Sequence, residues 1–286
     1  MAVSPDAGVP SASMSEEQEF LHKLARLVDR EHQRHQALQA RPQAWEIQPG
    51  SPLAGDEAKS HPHDVGHGAW HALTVAQDHL LCLHSTLHSS PQGRDRLMIH
   101  THSQFTLLRA AMENAARAVW LLQPANRAGR ITRRLAMQRA EIRAAHRIRG
   151  LLSNPGAKTL QQDLTDLYAL LATALGVTAA EAERTLNTTP ASYKDMVRDA
   201  APAAGYSADT AELIWSACSA LAHGDTHGTL SVLDKQVTAA QSAKGNRIAL
   251  ARVTGSVSGL YWCTLAATSM LSAGYELYAK RARAPY

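Results

Sequence analysis

Aromatic side chains are scarce in this chain, 5% of 286 residues with only two Phe. Its apolar residues are mostly Ala and Leu, which favour helices and leave little for an aromatic-rich sheet core. Cysteine is scarcer still, and Cys82, Cys218 and Cys263 lie far apart, each in an apolar helical context. An odd, scattered set excludes a disulfide frame and a thiolate zinc site, so the three read as buried thiols in a reducing compartment. The basic-then-apolar order of a signal peptide does not open the chain, and a cytoplasmic protein is expected.

Long apolar runs are also missing. The one long uncharged stretch, residues 253–275, holds seven Ser or Thr and only three Leu, with Gly255 and Gly259 in GxxxG spacing. A membrane span needs about 20 predominantly apolar residues. This stretch reads instead as a buried central helix packed closely through small residues, and no membrane association is expected. The chain has no Gly-rich phosphate loop, nucleophile elbow, metalloprotease helix, paired-carboxylate pattern or DNA sequence-reading motif. No cofactor and no metal site is assigned.

What is present points to an all-α protein, an antiparallel bundle of about seven to nine helices, with 45% hydrophobic residues to form its core. Residues 1–14, rich in Ala, Ser, Pro and Gly, read as a disordered tail. Ser15 and Gln18 form a capping box that opens a helix over 15–40. Residues 41–65 carry four prolines and read as a loop or linker. The bundle domain then runs over 66–286. Helices are expected near 67–89, 92–122, 126–153, 157–175, from 178, at 192–200, 209–224 and 247–282. Asp209 and Glu212 read as a second capping box, and residues 228–234 as a short extended piece.

Charge is unevenly spread. Residues 94–149 hold twelve Arg, no Lys and three acids, a net of +9, which leaves −5 for the rest of a chain whose formal charge is +4. Such a block attracts phosphate, or it is a solvated face paired with acidic neighbours. Arg139, Arg143 and Arg147 share one face of the expected fourth helix, and Arg130, Arg133 and Arg134 cluster just before them. No aromatics interleave, so the stripe suits contact with a nucleic-acid backbone or nucleotide phosphate rather than base stacking.

The strongest chemical pattern is a pair of distant helical segments. Arg109, Glu113 and Arg117 stand four apart in 107–120, and Ser219 and His223 stand four apart in 215–224. That spacing puts each set on one helix face. Brought together, Arg109, Glu113, Ser219 and His223 make either a catalytic site or a buried polar network that fixes helix register. His223, at a helix C-terminus where the dipole favours a cation, suits a general acid or phosphate contact.

These segments, Leu108-Arg109-x-x-x-Glu113 and Ser219-Ala-Leu-Ala-His223-Gly224, resemble those of the HEPN class of helical nucleotide-binding domains. The resemblance covers about 67–280. It implies a helical bundle that often dimerises, and metal-independent RNA cleavage or nucleotide binding of toxin–antitoxin or phage-defence type. RNA or a nucleotide, and a second copy of the chain, are the partners it implies. Active members carry Arg, four to six residues, then His on one helix. That spacing occurs here at Arg26/His32, Arg94/His100, Arg96/His102 and Arg139/His146, and not on the 209–224 helix. The alternative is a non-catalytic helical interaction or regulatory protein.

Histidine is abundant, with fifteen residues and a dense run from His61 to His88. His67 and His71 share one helix face, and His84 and His88 another. Such pairs can bind Zn, Ni or Cu, with Asp64 the nearest carboxylate. His223, Asp225 and His227 form a second group, in a tight loop. A His-rich metal-binding bundle is a third, weaker reading.

Overall fold

The computed structural model describes residues 14–89, 97–152, 158–243 and 246–285. The expected tail lies outside these residues except for Met14, as do Arg94 and Arg96. Eleven α-helices, more than the seven to nine expected, make up the described structure with two short 3-10 helices (Pro42–Trp45 and Ala201–Ala204) and one hairpin. In order they are α1 (Glu16–Ala40), α2 (Pro52–Ser60), α3 (Val65–Leu87), α4 (Ser103–Leu122), α5 (Arg127–Leu151), α6 (Leu160–Leu175), α7 (Ala179–Thr188), α8 (Tyr193–Ala200), α9 (Ala208–Ala222) and α10 (Thr226–Val232). Strands β1 (Asp234–Ala243) and β2 (Asn246–Thr254) follow, and α11 (Val257–Ala282) closes the chain.

Helix α4 is the hub. It packs on α3, α8, α9 and α11, and α1 lies against α3 and α11. Leu108, Met112, Ala115, Ala116, Val119 and Trp120 of α4 are all buried. The seam with α11 is tightened by small residues. A Cβ on Gly274 would lie 2.7 Å from Leu73 of α3, so α3 and α11 approach through that glycine. The close approach expected of α11 is therefore made at Gly274. The GxxxG pair plays another part: Gly255 precedes the helix, with His100 backbone beside it, and Gly259 meets only its own cap residue Ser256 and the Val232 carbonyl. No described helix is long and apolar enough to cross a membrane.

Local signals account for the helix starts. Ser15 and Gln18 cap each other reciprocally, as do Thr159 with Gln162 and Thr178 with Glu181. Gly176, at φ 70°, ends α6 in the left-handed conformation that glycine tolerates best. At α9 the expected box is corrected. Ser207 is the cap, its hydroxyl accepting from the Thr210 amide, while Asp209 pairs with Arg198 at 2.9 Å.

Two expected loops are structured. The 41–65 segment contains α2, whose Asp56 is fully buried, so it belongs to the bundle rather than linking to it. Residues 228–232 of the expected extended piece lie in α10 instead. The hairpin replaces the expected start of the last helix, with Asp234 opposite Thr254 and an irregularity between Val237 and Ala239. Its five alanines suit a helix by propensity and mask the strand pattern, and pairing across the hairpin overrides that preference. Cys218 and Cys263 are buried as expected, whereas Cys82 is exposed.

Candidate functional site

The two distant helical segments do meet. Arg109 of α4 donates from Nε to Glu113 Oε1 at 2.9 Å, one turn along the same helix. It donates from Nη1 to His223 Nε2, also at 2.9 Å, across to the end of α9. A guanidinium can only donate, so Nε2 of His223 is the acceptor and the ring proton sits on Nδ1. In this arrangement the Nε2 lone pair of His223 faces Arg109.

A further residue, not anticipated from spacing, completes the cluster. Trp215 Nε1 donates to the same Glu113 oxygen at 2.9 Å. Glu113 is thus a nearly buried carboxylate that ties Arg109 and Trp215, and through them α4 to α9. Ser219 accepts the His223 amide through its backbone carbonyl, and its hydroxyl makes no hydrogen bond among the described residues. Ser219 therefore shares the helix face without joining the side-chain network. Asp225, in the loop after His223, caps α10 by accepting from the Gly228 amide at 2.7 Å, which engages one of its oxygens.

Arg117, two turns beyond Arg109 on α4, faces a different space. It donates to the Tyr193 hydroxyl at 2.6 Å and lies over that ring at 5.3 Å. It also lines a cavity of about 490 Å³ between α3, α4 and α5. Arg134, His67, His71, Asp64 and Glu141 share the lining. Arg134 donates to Gln138 at 2.9 Å and stands 3.7 Å from Glu141, yet its Nε and Nη1, and Nε of Arg117, have no hydrogen-bond partner among the described residues. Burial lowers the Arg134 pKa most, Arg117 lowers it further, and Glu141 offsets part of the shift. Burial also depresses the pKa of neighbouring His63, with Arg134 adding to it. The lining sets two guanidiniums, Arg117 and Arg134, against two carboxylates, Asp64 and Glu141, so its formal charges balance while donors on both arginines stay unpaired among the described residues. Gly68 lets Arg134 lie against α3, because a Cβ there would stand 3.0 Å from its Nε.

The arginine stripe divides by role. Arg130 is buried against Asp56, with contacts of 2.6 and 2.8 Å. Arg133 donates to the Trp120 carbonyl at 2.6 Å and lies 4.8 Å from that ring centroid. Arg139 binds Asn187 of α7. Arg143 and Arg147 remain exposed, and neither forms an ion pair among the described residues. Of the proposed phosphate contacts, Arg117 belongs to the cavity, Arg139 to a helix–helix contact, and Arg143 and Arg147 to an open surface. The signals for the cavity were the His67/His71 pair and the Arg133/Arg134 cluster, but their meeting depends on how α3 packs on α5.

No family model, no curated protein and no solved structure matches this chain.

Proposed function

We propose that this chain is a nucleotide-binding helical protein of HEPN-like type, which takes the phosphate in the cavity between α3, α4 and α5. The observation that carries this reading is the pair of guanidiniums, Arg117 and Arg134, that line one cavity and each keep at least one N–H donor unpaired among the described residues. Arg is shaped for bidentate phosphate contact, and His67 and His71 add further donors at the mouth. Asp64 and Glu141 in the same lining suit the hydroxyl groups of a ribose. An antiparallel bundle, a cytoplasmic setting and pairing with a second copy belong to the same proposal. In it, the Arg109–Glu113–Trp215–His223 cluster is a structural pin.

Calorimetric titration with AMP and with ATP tests the reading, in low and high salt, on the wild type and on Arg117→Met and Arg134→Met. Losing a charged hydrogen bond costs about 1.5–3 kcal/mol, so each variant should bind roughly 10–100-fold more weakly. Binding should also weaken as salt rises. Equal binding by Arg134→Met and wild type, or no binding by wild type at millimolar nucleotide, would overturn it.

A second reading, a metal-independent ribonuclease, is favoured by one feature: His223 is exposed and 2.9 Å from Arg109. Such a pair combines a proton acceptor with a phosphate-stabilising cation. Cleavage of labelled RNA without metal, lost in His223→Ala, would support it. A wild type that leaves RNA intact would remove it.

A further inference from the structure

The histidine-rich run is split by helix α3 into two groups with different surroundings. His67 and His71, near its start, line the cavity just described. His84 and His88, near its end, face α1, where the residue opposite them is Asp29. The carboxylate that completes the group is 55 positions from His84 in sequence. Only the packing of α1 on α3 brings it there.

His84 Nε2 lies 3.1 Å from Asp29 Oδ1, and His88 Nε2 lies 3.9 Å from the same oxygen. The three potential ligand atoms all lie within 4.8 Å of one another. Tetrahedral zinc bonds of about 2.0–2.1 Å place ligand atoms roughly 3.3 Å apart. The observed spacing is thus close to that of a bound site, and a small rotamer adjustment would close it. Histidines one turn apart on a helix, with a carboxylate from a neighbouring helix, supply the two-imidazole, one-carboxylate set that leaves a fourth position open.

At His84 the Asp29 carboxylate can only accept, so Nε2 carries the ring proton and an entering ion displaces it; at His88 the ligating nitrogen is already free. His88 Nδ1 lies 2.8 Å from the His84 backbone carbonyl, which can only accept. The ring proton is therefore on Nδ1, and the Nε2 lone pair is free toward Asp29. His32 of α1 stacks on His84 with ring centroids 4.6 Å apart and planes at 9°, fixing the ring orientation. His84 and His88 are partly buried, and Asp29 is half exposed, so an ion can enter from solvent.

We propose that Asp29, His84 and His88 form a binding site for a divalent transition metal of the zinc class, with solvent in the fourth position. The ion joins α1 to α3 across their surface seam. The site shares no residue with the nucleotide-binding cavity, so either proposal can fail alone.

Cobalt provides the probe. Protein purified without a histidine tag and freed of metal with chelator is titrated with Co²⁺ and then with Zn²⁺, followed by visible absorption. One Co²⁺ per chain with intense low-symmetry d–d bands, displaced by one Zn²⁺, is the expected result. His84→Ala and His88→Ala should each weaken binding beyond the roughly 10–100-fold that loss of an outer-shell partner costs. Asp29→Asn keeps the side-chain shape and should weaken it as well, which guards against a variant that merely unfolds; circular dichroism checks helix content in all three. The His67→Ala/His71→Ala double variant should bind Co²⁺ as the wild type does. Weak octahedral bands that do not saturate, or saturable binding that survives His84→Ala, would overturn the proposal. Binding lost in the His67/His71 variant and kept in the other three would also overturn it.

Discussion

Asp56 and Arg130 face each other in a bidentate pair at 2.6 and 2.8 Å, with both side chains almost entirely withdrawn from solvent. Arg130 also donates to the Pro124 and Ala125 carbonyls at 2.9 Å, just past the end of α4. One guanidinium thus joins α2, α5 and the chain leaving α4. This pair makes the segment expected as a linker part of the core.

Removing one partner leaves a buried charge without compensation, which costs about 3–5 kcal/mol. Asp56→Ala should lower unfolding stability by that amount in urea titration. An apolar double replacement, Asp56→Leu with Arg130→Met, should recover only part of the loss, because the Ala125 carbonyl then lacks its donor while Pro124 keeps Arg281. Full recovery would show that the carbonyl contacts contribute nothing.

The Glu113 cluster separates stability from chemistry. Glu113→Ala leaves Arg109 Nε and Trp215 Nε1 without their acceptor, and because both are only part-buried each should cost about 1 kcal/mol, the low end of the range for an orphaned donor. His223 is exposed, and His223→Ala should change stability by no more than about 0.5 kcal/mol. Denaturation curves of the two variants would reveal a large gap. A His223→Ala loss as large as that of Glu113→Ala would make the histidine part of the pin.

Glu31 gives a pH signature. It is fully buried on α1, and burial raises its pKa more than Arg34 and Arg30 lower it. Arg34 Nη1 stands 2.9 Å from Oε2 and Arg30 Nε 3.6 Å from Oε1, but neither carboxylate oxygen accepts a hydrogen bond among the described residues. A carboxyl with a raised folded pKa contributes stability below its unfolded value of 4.5, and that contribution is lost as pH rises through the folded value. Glu31→Gln should therefore gain stability relative to wild type as pH rises from below 4.5 toward neutral. A difference that stays flat across that range, or shrinks, contradicts the placement.

Gly274 tests the central seam. A methyl group there would meet Leu73 Cδ2 at 2.7 Å, with Ala118 and Val119 at 3.7 Å behind it. Overpacking of this kind costs about 1–3 kcal/mol, so Gly274→Ala should melt lower while keeping its helix content. Gly259→Ala, which meets only Ser256 at 3.3 Å and a carbonyl at 3.9 Å, should be close to neutral.

Much of the helical content was legible because its signals are local. Ser15, Thr178 and Ser192 announce their helices through hydrogen bonds three residues on, and Gly176 ends its helix through its own backbone freedom. The faces of α4 and α9 followed from four-residue spacing, which is why Arg109, Glu113 and His223 could be singled out before their contacts were seen. The hairpin was hidden because its alanines favour a helix when taken alone, while strand pairing is not a local property.

What the sequence by itself determined is therefore the helices, their caps and the residues that share a face, since these depend on neighbours within about four positions. Tertiary structure alone decided which faces meet. It set Trp215 on Glu113, seated Asp56 under Arg130, brought Arg117 and Arg134 to one cavity, and placed Asp29 against His84 and His88. Those meetings depend on how side chains interlock between helices, where burial and unsatisfied polar groups decide the energy and no spacing along the chain records the answer.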